Sequence, residues 1–314
     1  MRCILASISF CAAAASFACA AAIAPPENAR PSAESLRAFF AQQRDALSSS
    51  PFGKPLILAA REEGRRVFGD AYAILDRPFT ETSAALGEPK EWCEILLLPV
   101  NSKGCQASGA PDGAALAVLV GRKYSTAIEM AHRLDFKFAT VARANDYLRV
   151  ELAAPTGPFG TKDYHIVLEL APLDARRSYL HFGYAYGYGS VARAAMQIYL
   201  STAGSNKVGF TTEGTGEDGK PALVRGMRGV MERNTMRYYL AIETYLASHR
   251  LPEPQRTAKM IEGWYAAILR YPRQLSERDV DHDLYVRLKR DEYERMHAGL
   301  IPARQTASSS PSPS

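Results

Sequence analysis

Hydrophobic and polar positions along this chain fall into three regimes: an unbroken apolar run at the start, a central stretch of alternation, and a helical period towards the end. The run from Ile4 to Ala18 carries no charge, follows Met1 and Arg2, and gives way to Pro25, Pro26, Glu27 and Asn28. Ala18, Ala20, Ala21 and Ala22 supply the small residues of a cleavage site, so residues 1–22 are expected to be a cleavable secretory signal. A membrane-spanning helix needs roughly 20 apolar residues, which makes an uncleaved anchor the competing reading. Acylation at Cys19 is a third reading, but Ser16-Phe17-Ala18 lacks the aliphatic residue with which a lipobox opens.

After the signal, residues 23–53 read as a lead-in with one helix, Ser35 to Leu47, whose Leu36, Phe39 and Phe40 fall at helical spacing behind a Ser32 cap. The period then shortens. Val67 to Leu75 alternates in a way that fits a strand with packed neighbours on both faces, closed by Pro78. Phe79, Ala84, Ala85 and Leu86 predict a short helix, and Pro89 opens a second, with Trp92, Ile95 and Leu96 on one side. From residue 115 the pattern predicts strands at 115–120, 136–141, 147–153, 164–170 and 178–188. In two of them Leu148, Val150 and Leu152 oppose Arg149 and Glu151, while Tyr164, Ile166, Leu168 and Leu170 oppose His165, Val167 and Glu169. Such strands are half-buried and antiparallel, with Glu151 and Glu169 expected on the solvated side. Leu180, Phe182, Tyr184, Tyr186 and Tyr188 share one face against Tyr179, His181, Gly183, Ala185 and Gly187, whose glycines imply curvature or a close backbone approach.

The helical period returns after 191–200, a candidate short helix, and 207–212, read as a further strand before a loop at 214–219. Asn234 or Thr235 is expected to cap a helix running to Ser248, and Glu232-Arg233-Asn234 to order that cap or touch a ligand head group. Met236, Tyr239, Leu240 and Leu246 line one side of it, and Tyr238, Ile242 and Tyr245 another; so wide an apolar band implies packing on two sides. Ile261, Trp264, Tyr265, Ile268 and Leu269 mark a helix stopped by Pro272, and Val280, Leu284 and Leu288 a charged last helix. Residues 303–314 are small, polar and proline-broken, the composition of a disordered tail.

Composition narrows the partners. The chain has 38 basic and 33 acidic residues, a net of +5 that falls to +4 without Arg2. With no basic block, this weak balance gives no support for nucleic-acid binding. No second long apolar run predicts an integral span after signal removal. Cys3, Cys11 and Cys19 leave with the signal, so Cys93 and Cys105 remain as a candidate disulfide in an oxidising compartment, with two separate thiols as the alternative. A simple hairpin over 93–105 would set Cys105 opposite residue 100 or so. A bond to Cys93 therefore favours a helix after Pro89, since a helix rises only about 1.5 Å per residue. Closing that loop contributes about 3 kcal/mol in the chain-entropy account.

The order of strand, two short helices ending in a Trp, antiparallel strands and a long amphipathic helix resembles the START and Bet v 1-like helix-grip superfamily. Pro78-Phe79, Leu86, Glu91-Trp92, Ile95 and the 234–248 helix carry the resemblance, which covers roughly residues 54–250. It implies an α+β fold in which a curved antiparallel sheet grips the long helix over an apolar cavity. Two helices at 251–302 depart from the pattern as a C-terminal extension. No catalytic residues carry over, because the superfamily shares a cavity and no catalytic set.

The expected function is that of an exported, periplasmic protein binding an apolar or amphipathic, lipid-like small molecule between sheet and helix. Phe182, Tyr184, Tyr186, Tyr188, Tyr238, Ile242 and Tyr245 are the candidate ligand-binding residues, since aromatic rings supply contact area and phenols fix orientation. An enzyme of the same fold, or an envelope protein meeting a partner through 253–300, are the alternatives. Gly187-Tyr-Gly189-Ser-Val-Ala192 satisfies G-x-G-x-x-A, yet a dinucleotide site needs β-α-β units and a parallel sheet. Histidines 132, 165, 181, 249, 282 and 297 form no H-x-x-x-H or Cys/His metal pattern, no G-x-S-x-G elbow occurs, and Asp163 with His165 is a weak candidate base. Neither cofactor nor metal is expected.

Overall fold

The computed structural model describes residues 31–109, 113–202, 204–216, 218–275 and 280–301. The expected signal at 1–22 and tail at 303–314 lie outside the described residues. Helix α1 (Ala33–Ser48) starts where Ser32 caps it: the Ser32 hydroxyl accepts the Ser35 N–H at 3.1 Å, and Ser35 Oγ accepts the Ser32 N–H at 3.0 Å. This reciprocal pair satisfies two amides that the helix leaves open. Strands β1 (Leu56–Glu63) and β2 (Arg66–Leu75) follow, then α2 (Phe79–Leu86) and α3 (Pro89–Leu97). Six strands run in succession: β3 (Ser102–Ser108), β4 (Ala115–Val120), β5 (His132–Ala144), β6 (Tyr147–Thr156), β7 (Thr161–Pro172) and β8 (Ser178–Tyr188). After α4 (Ser190–Ser201) and a small hairpin of β9 (Thr212–Thr215) and β10 (Pro221–Leu223) come α5 (Gly226–Ser248), α6 (Gln255–Leu269), α7 (Pro272–Leu275) and α8 (His282–His297).

The main sheet has the order β1-β2-β8-β7-β6-β5-β4-β3, antiparallel at every pairing. Helices α2 and α3 carry the chain from β2 to the far edge, and the meander returns until β8 pairs with β2. Helix α5 lies across the inner face. Its Met231, Met236, Leu240 and Ile242 are buried in one core with Val67, Leu148, Val150, Leu152, Leu168, Leu180 and Phe182 of the sheet. Contact is closest at Gly69, where an added Cβ would lie 2.1 Å from Thr235 Oγ1. Only glycine lets the helix rest on β2 there. This is the α+β helix-grip arrangement that the element order implied.

The outer face is covered too. Leu36, Phe39 and Leu47 of α1 bury against Ile57, Tyr72, Tyr147, Ala171 and Tyr179, with ring centroids 4.8 Å apart for Phe39–Tyr72 and 5.0 Å for Phe40–Tyr179. Covering on both sides explains why β2 reads as apolar at successive positions.

Three expectations about elements are corrected. Residues 207–212 do not form a strand with a sheet; only Thr212 joins the β9–β10 hairpin. Helix α5 begins at Gly226, so Asn234 and Thr235 lie inside it and cap nothing. The Glu232 carboxylate, fully buried, instead accepts the backbone N–H of Phe210 and Thr211 and the Thr211 hydroxyl. The acid that resembled a cap thus pins the segment between α4 and α5 onto the helix.

Cys93 in α3 and Cys105 in β3 form a disulfide with Cα atoms 5.2 Å apart, as the helical reading after Pro89 allows. The C-terminal helices enter the same core. Trp264 of α6 is buried, donates its indole N–H to the Arg237 carbonyl at 3.2 Å and stacks on Tyr285 of α8 at 5.3 Å. Lys289 of α8 is fully buried and donates to the carbonyls of Leu97, Pro99 and Ser102 at 2.7 to 2.8 Å, meeting the open end of α3. Glu292 joins Lys289 at 2.7 Å and Lys103 at 3.0 Å, so one buried acid serves two buried lysines. Burial lowers the Lys289 ammonium to about 8, against the pull of Glu292.

Candidate functional site

The alternation of β8 places Phe182, Tyr184, Tyr186 and Tyr188 on the inner face, each buried. Register then adds Tyr164 of β7, whose ring stacks on Tyr186 at 5.2 Å and lies 6.2 Å from Tyr184. Tyr238 of α5 closes the group from above, 5.4 Å from Tyr184 and 6.2 Å from Phe182. Four phenols thus converge between sheet and helix. Tyr164 was visible in the sequence as an inner-face residue of its strand, but nothing there set it beside Tyr186.

The other candidates separate from this group. Ile242 is buried in the inner core. Tyr245 turns towards α3, where its hydroxyl donates to Glu91, and Tyr188 donates to Glu62 at the end of β1. The Tyr164 hydroxyl meets Thr161 Oγ1 at 2.9 Å. Tyr184, Tyr186 and Tyr238 have no hydrogen-bond partner for their hydroxyls among the described residues. They also differ from Tyr72 and Tyr179, whose unpartnered hydroxyls are sealed from solvent. Burial pushes the Tyr238 phenol up to about 12 and Tyr184 and Tyr186 well above the usual value, with neighbouring phenols adding to the effect. All three stay protonated at neutral pH and act as donors.

One end of the phenol group is roofed by short elements. A Cβ on Gly157 would meet the Tyr164 ring at 2.2 Å, so the turn at 158–160 sits directly over it. Ala192, Met196 and Leu200 of α4 pack on the inner core beside that turn, while Ile198 and Tyr199 of the same helix are exposed. Two surface concavities lie elsewhere. One of about 190 Å³ runs between α5 and α6 at Thr244, Ala247, Lys259 and Gly263, and one of about 300 Å³ lies at Glu88, Pro89, Lys90, Glu91, Ala107 and Gly109. Neither is lined by the aromatic strand.

The outer face holds a second buried polar group that the sequence did not reveal. His181 places Nε2 2.9 Å from Asp70 Oδ1 and Nδ1 2.8 Å from Glu169 Oε2, and its ring stacks on Tyr72 at 4.5 Å. Glu169, expected to be solvated, is only 8% exposed; it also accepts from the Tyr147 hydroxyl and pairs with Arg149 at 3.0 Å. The correction follows from α1, whose cover over this face no strand pattern encodes. Burial alone would lower the His181 imidazole, but hydrogen bonds and charge from Asp70 and Glu169 raise it to about 9. Burial opposes ionisation of Glu169, and His181 with Tyr147 and Arg149 outweighs that, holding the acid near 2. Glu151 is half-buried, with His165 3.3 Å away and Arg149 2.7 Å away. Asp163 lies beside Lys162 and does not join the His165 pair.

Gly189 does stand at the start of α4, but β8 before it pairs antiparallel with both neighbours, so the β-α-β setting of a dinucleotide loop is missing. No helix among the described residues is long and apolar enough to cross a membrane.

No family model and no curated protein matches the chain. Among solved structures it is similar to a point mutant of norcoclaurine synthase from Thalictrum flavum in complex with a transition-state analogue, at 12% identity and a TM-score of 0.33, covering 46% of this chain and 90% of that one. It is similar to a conserved protein from Geobacillus kaustophilus at 12% identity and TM-score 0.33, over 57% of this chain and 95% of that one. A third likeness is to CalU16 from Micromonospora echinospora, at 11% identity and TM-score 0.31, over 67% of this chain and 93% of that one. Likeness at these levels reaches no further than the fold, which the strand order and the position of α5 carry by themselves. The chain has a helix-grip fold, an antiparallel sheet with α5 across its inner face, to which α1 is added on the outer face and α6 to α8 after the gripped helix.

Proposed function

We propose that this protein binds a small amphipathic molecule against the phenol group of the inner face, and that it does so outside the cytoplasm. The observation that carries the reading is that the rings of Tyr184, Tyr186 and Tyr238 cluster with that of Tyr164 inside the grip while none of the three hydroxyls has a protein acceptor among the described residues. A ligand with an apolar body and one or two acceptor oxygens would meet these donors while covering the rings. The phenols touch one another at present, so the ligand enters by displacing α4 and the turn at 158–160. Export is supported by the apolar run at 4–18 and by a disulfide in the part of the chain that follows it.

Binding is favoured over catalysis because each phenol of the group is shifted away from neutrality and none is poised as a base. Trp264, Tyr285 and Tyr293 of the C-terminal helices are buried in the protein's own core, where they hold α6 and α8 to the rest of the fold.

The test uses purified full-length mature protein. Native mass spectrometry is expected to show an adduct that solvent extraction releases, and the stripped protein is expected to bind the amphipathic probe 1-anilinonaphthalene-8-sulfonate in its folded state. Each of Tyr184→Phe and Tyr238→Phe should weaken probe binding by about 2- to 10-fold, the worth of one hydrogen bond. A protein that carries no adduct and takes up probe equally well after both substitutions would overturn the proposal.

A further inference from the structure

A separate cluster lies where the C-terminal helices meet α3. Glu94 of α3 is 7% exposed; its Oε1 lies 2.8 Å from His297 Nε2, in the last turn of α8, and its Oε2 is sealed with no hydrogen-bond partner. Glu253, in the turn between α5 and α6, reaches the same place. One ligand atom from each of Glu94, Glu253 and His297 lies within 4.8 Å of the other two. Glu253 is held by α6, with Oε1 accepting from Arg256 Nε at 2.8 Å and Oε2 accepting from Thr257 Oγ1 at 2.8 Å and from the Thr257 N–H at 3.4 Å; the Arg256 charge also reaches Glu94 and His297. One oxygen of Glu94 thus meets His297, while the other is sealed and no donor reaches it.

We infer that Glu94, Glu253 and His297 form a binding site for a borderline divalent metal ion of the Zn2+ kind, which fastens α8 and the α5–α6 turn to α3. One imidazole with two carboxylates is a donor set that suits Zn2+ and disfavours Mg2+, whose sites are built from oxygen alone. Coordination replaces the hydrogen bond between His297 and Glu94, releasing the proton from Nε2 when that nitrogen carries it. It also brings a positive charge to a carboxylate whose other oxygen is sealed without a donor. Three protein ligands leave one position of a four-coordinate ion for water. Arg256 and Thr257 remain on Glu253 as the outer contacts that orient it.

His282 shows what does not make a site. Its two ring nitrogens bind separate carboxylates, Glu262 at 2.6 Å and Asp283 at 3.1 Å, on opposite sides of an exposed ring. These donors diverge, so a single ion cannot be shared among them, and His282 serves as the control.

The full-length mature protein, stripped with EDTA, is titrated with ZnCl2 by calorimetry and thermal shift, and with CoCl2 by visible absorption. The expected result is saturable binding of one Zn2+, a melting temperature that climbs with Zn2+ concentration, and a ligand-field spectrum from bound Co2+; MgCl2 should give none of these. Glu253→Gln and His297→Ala each remove an exposed ligand and should weaken Zn2+ by more than the roughly 10- to 100-fold that outer contacts cost. His282→Ala should leave binding unchanged. Melting without metal checks that each variant is folded. Absence of saturable Zn2+ binding in the wild type, survival of binding in both ligand variants, or its loss with His282→Ala overturns the inference.

Discussion

The two faces of the sheet bury polar groups in opposite ways. On the outer face, beneath α1, His181 uses both ring nitrogens on carboxylates, and Glu169 gathers Tyr147, Arg149 and His181. On the inner face, beneath α5, the rings of Tyr184, Tyr186 and Tyr238 cluster, and their hydroxyls have no protein partner among the described residues. Both sides are packed with aromatic rings and both are buried, so hydrophobicity does not separate them. What separates them is how the polar atoms are met: the ionisable groups of the outer face are met from within the chain, although the Tyr72 and Tyr179 hydroxyls beside them are sealed without a partner, whereas the inner phenols are not sealed and have no protein acceptor. A network met internally holds the fold together, and one left open awaits something from outside.

The largest test of this contrast is His181→Ala, which leaves the Asp70 and Glu169 carboxylates buried without the imidazolium between them. Removing one member of such a group costs about 3–5 kcal/mol, to be read from urea unfolding. A loss below about 1 kcal/mol would mean that the outer network is not what holds that face. The pH dependence sharpens the same point. His181 is raised from 6.5 to about 9, so its contribution is whole below pH 6.5 and disappears as pH climbs through about 9. Glu169 is lowered from 4.5 to about 2, so its contribution is whole above pH 4.5 and disappears as pH falls towards 2. Each limb is worth about 3 kcal/mol at most. Unfolding midpoints should therefore peak between the two limbs, and His181→Ala should lack the alkaline one.

Smaller effects belong to the inner side. Glu232→Ala frees the Phe210 and Thr211 amides from their buried acceptor and should cost about 1–3 kcal/mol, with limited proteolysis expected to cut sooner within 202–225. Tyr184→Phe deletes a hydroxyl that nothing in the chain meets. Its stability should change by less than about 1 kcal/mol, or rise, while probe binding weakens. A large loss of stability from Tyr184→Phe would erase the contrast between the faces.

Legibility in the sequence follows the range of the interaction that fixes each feature. Ser32 with α1, Pro89 with α3 and the alternation of β8 are local, and each could be read directly. Strand β1 escaped because Leu-Ile-Leu-Ala-Ala gives no alternation before Arg61, its inner and outer residues being covered by different helices. The start of α5 escaped because Glu232-Arg233-Asn234 looks like a cap until the Phe210 amide is known to lie against Glu232. Phe182, Tyr184 and Tyr186 came from period alone, whereas the place of Tyr164 needed the β7–β8 register and that of Tyr245 needed α3. The alternation puts Glu169 and His181 on the face where the structure has them, but a solvated Glu169 is what that pattern predicts, because α1, over a hundred residues earlier, gives no sign of where it docks. The Glu94, Glu253 and His297 cluster joins three distant turns and has no spacing to detect.

The lysine pair around Glu292 gives the chain a fixed order of completion. Lys103 and the carbonyls at the end of α3 are synthesised long before α8, which brings Lys289 and Glu292 to them. Until that last helix arrives, an ammonium destined for burial has no counter-charge and a helix terminus stands open. A chain cut short before residue 282 would thus fail in its centre, losing the lock on α3 and the ring beneath Trp264 together, and a protease nick near the C-terminus would be felt at the disulfide.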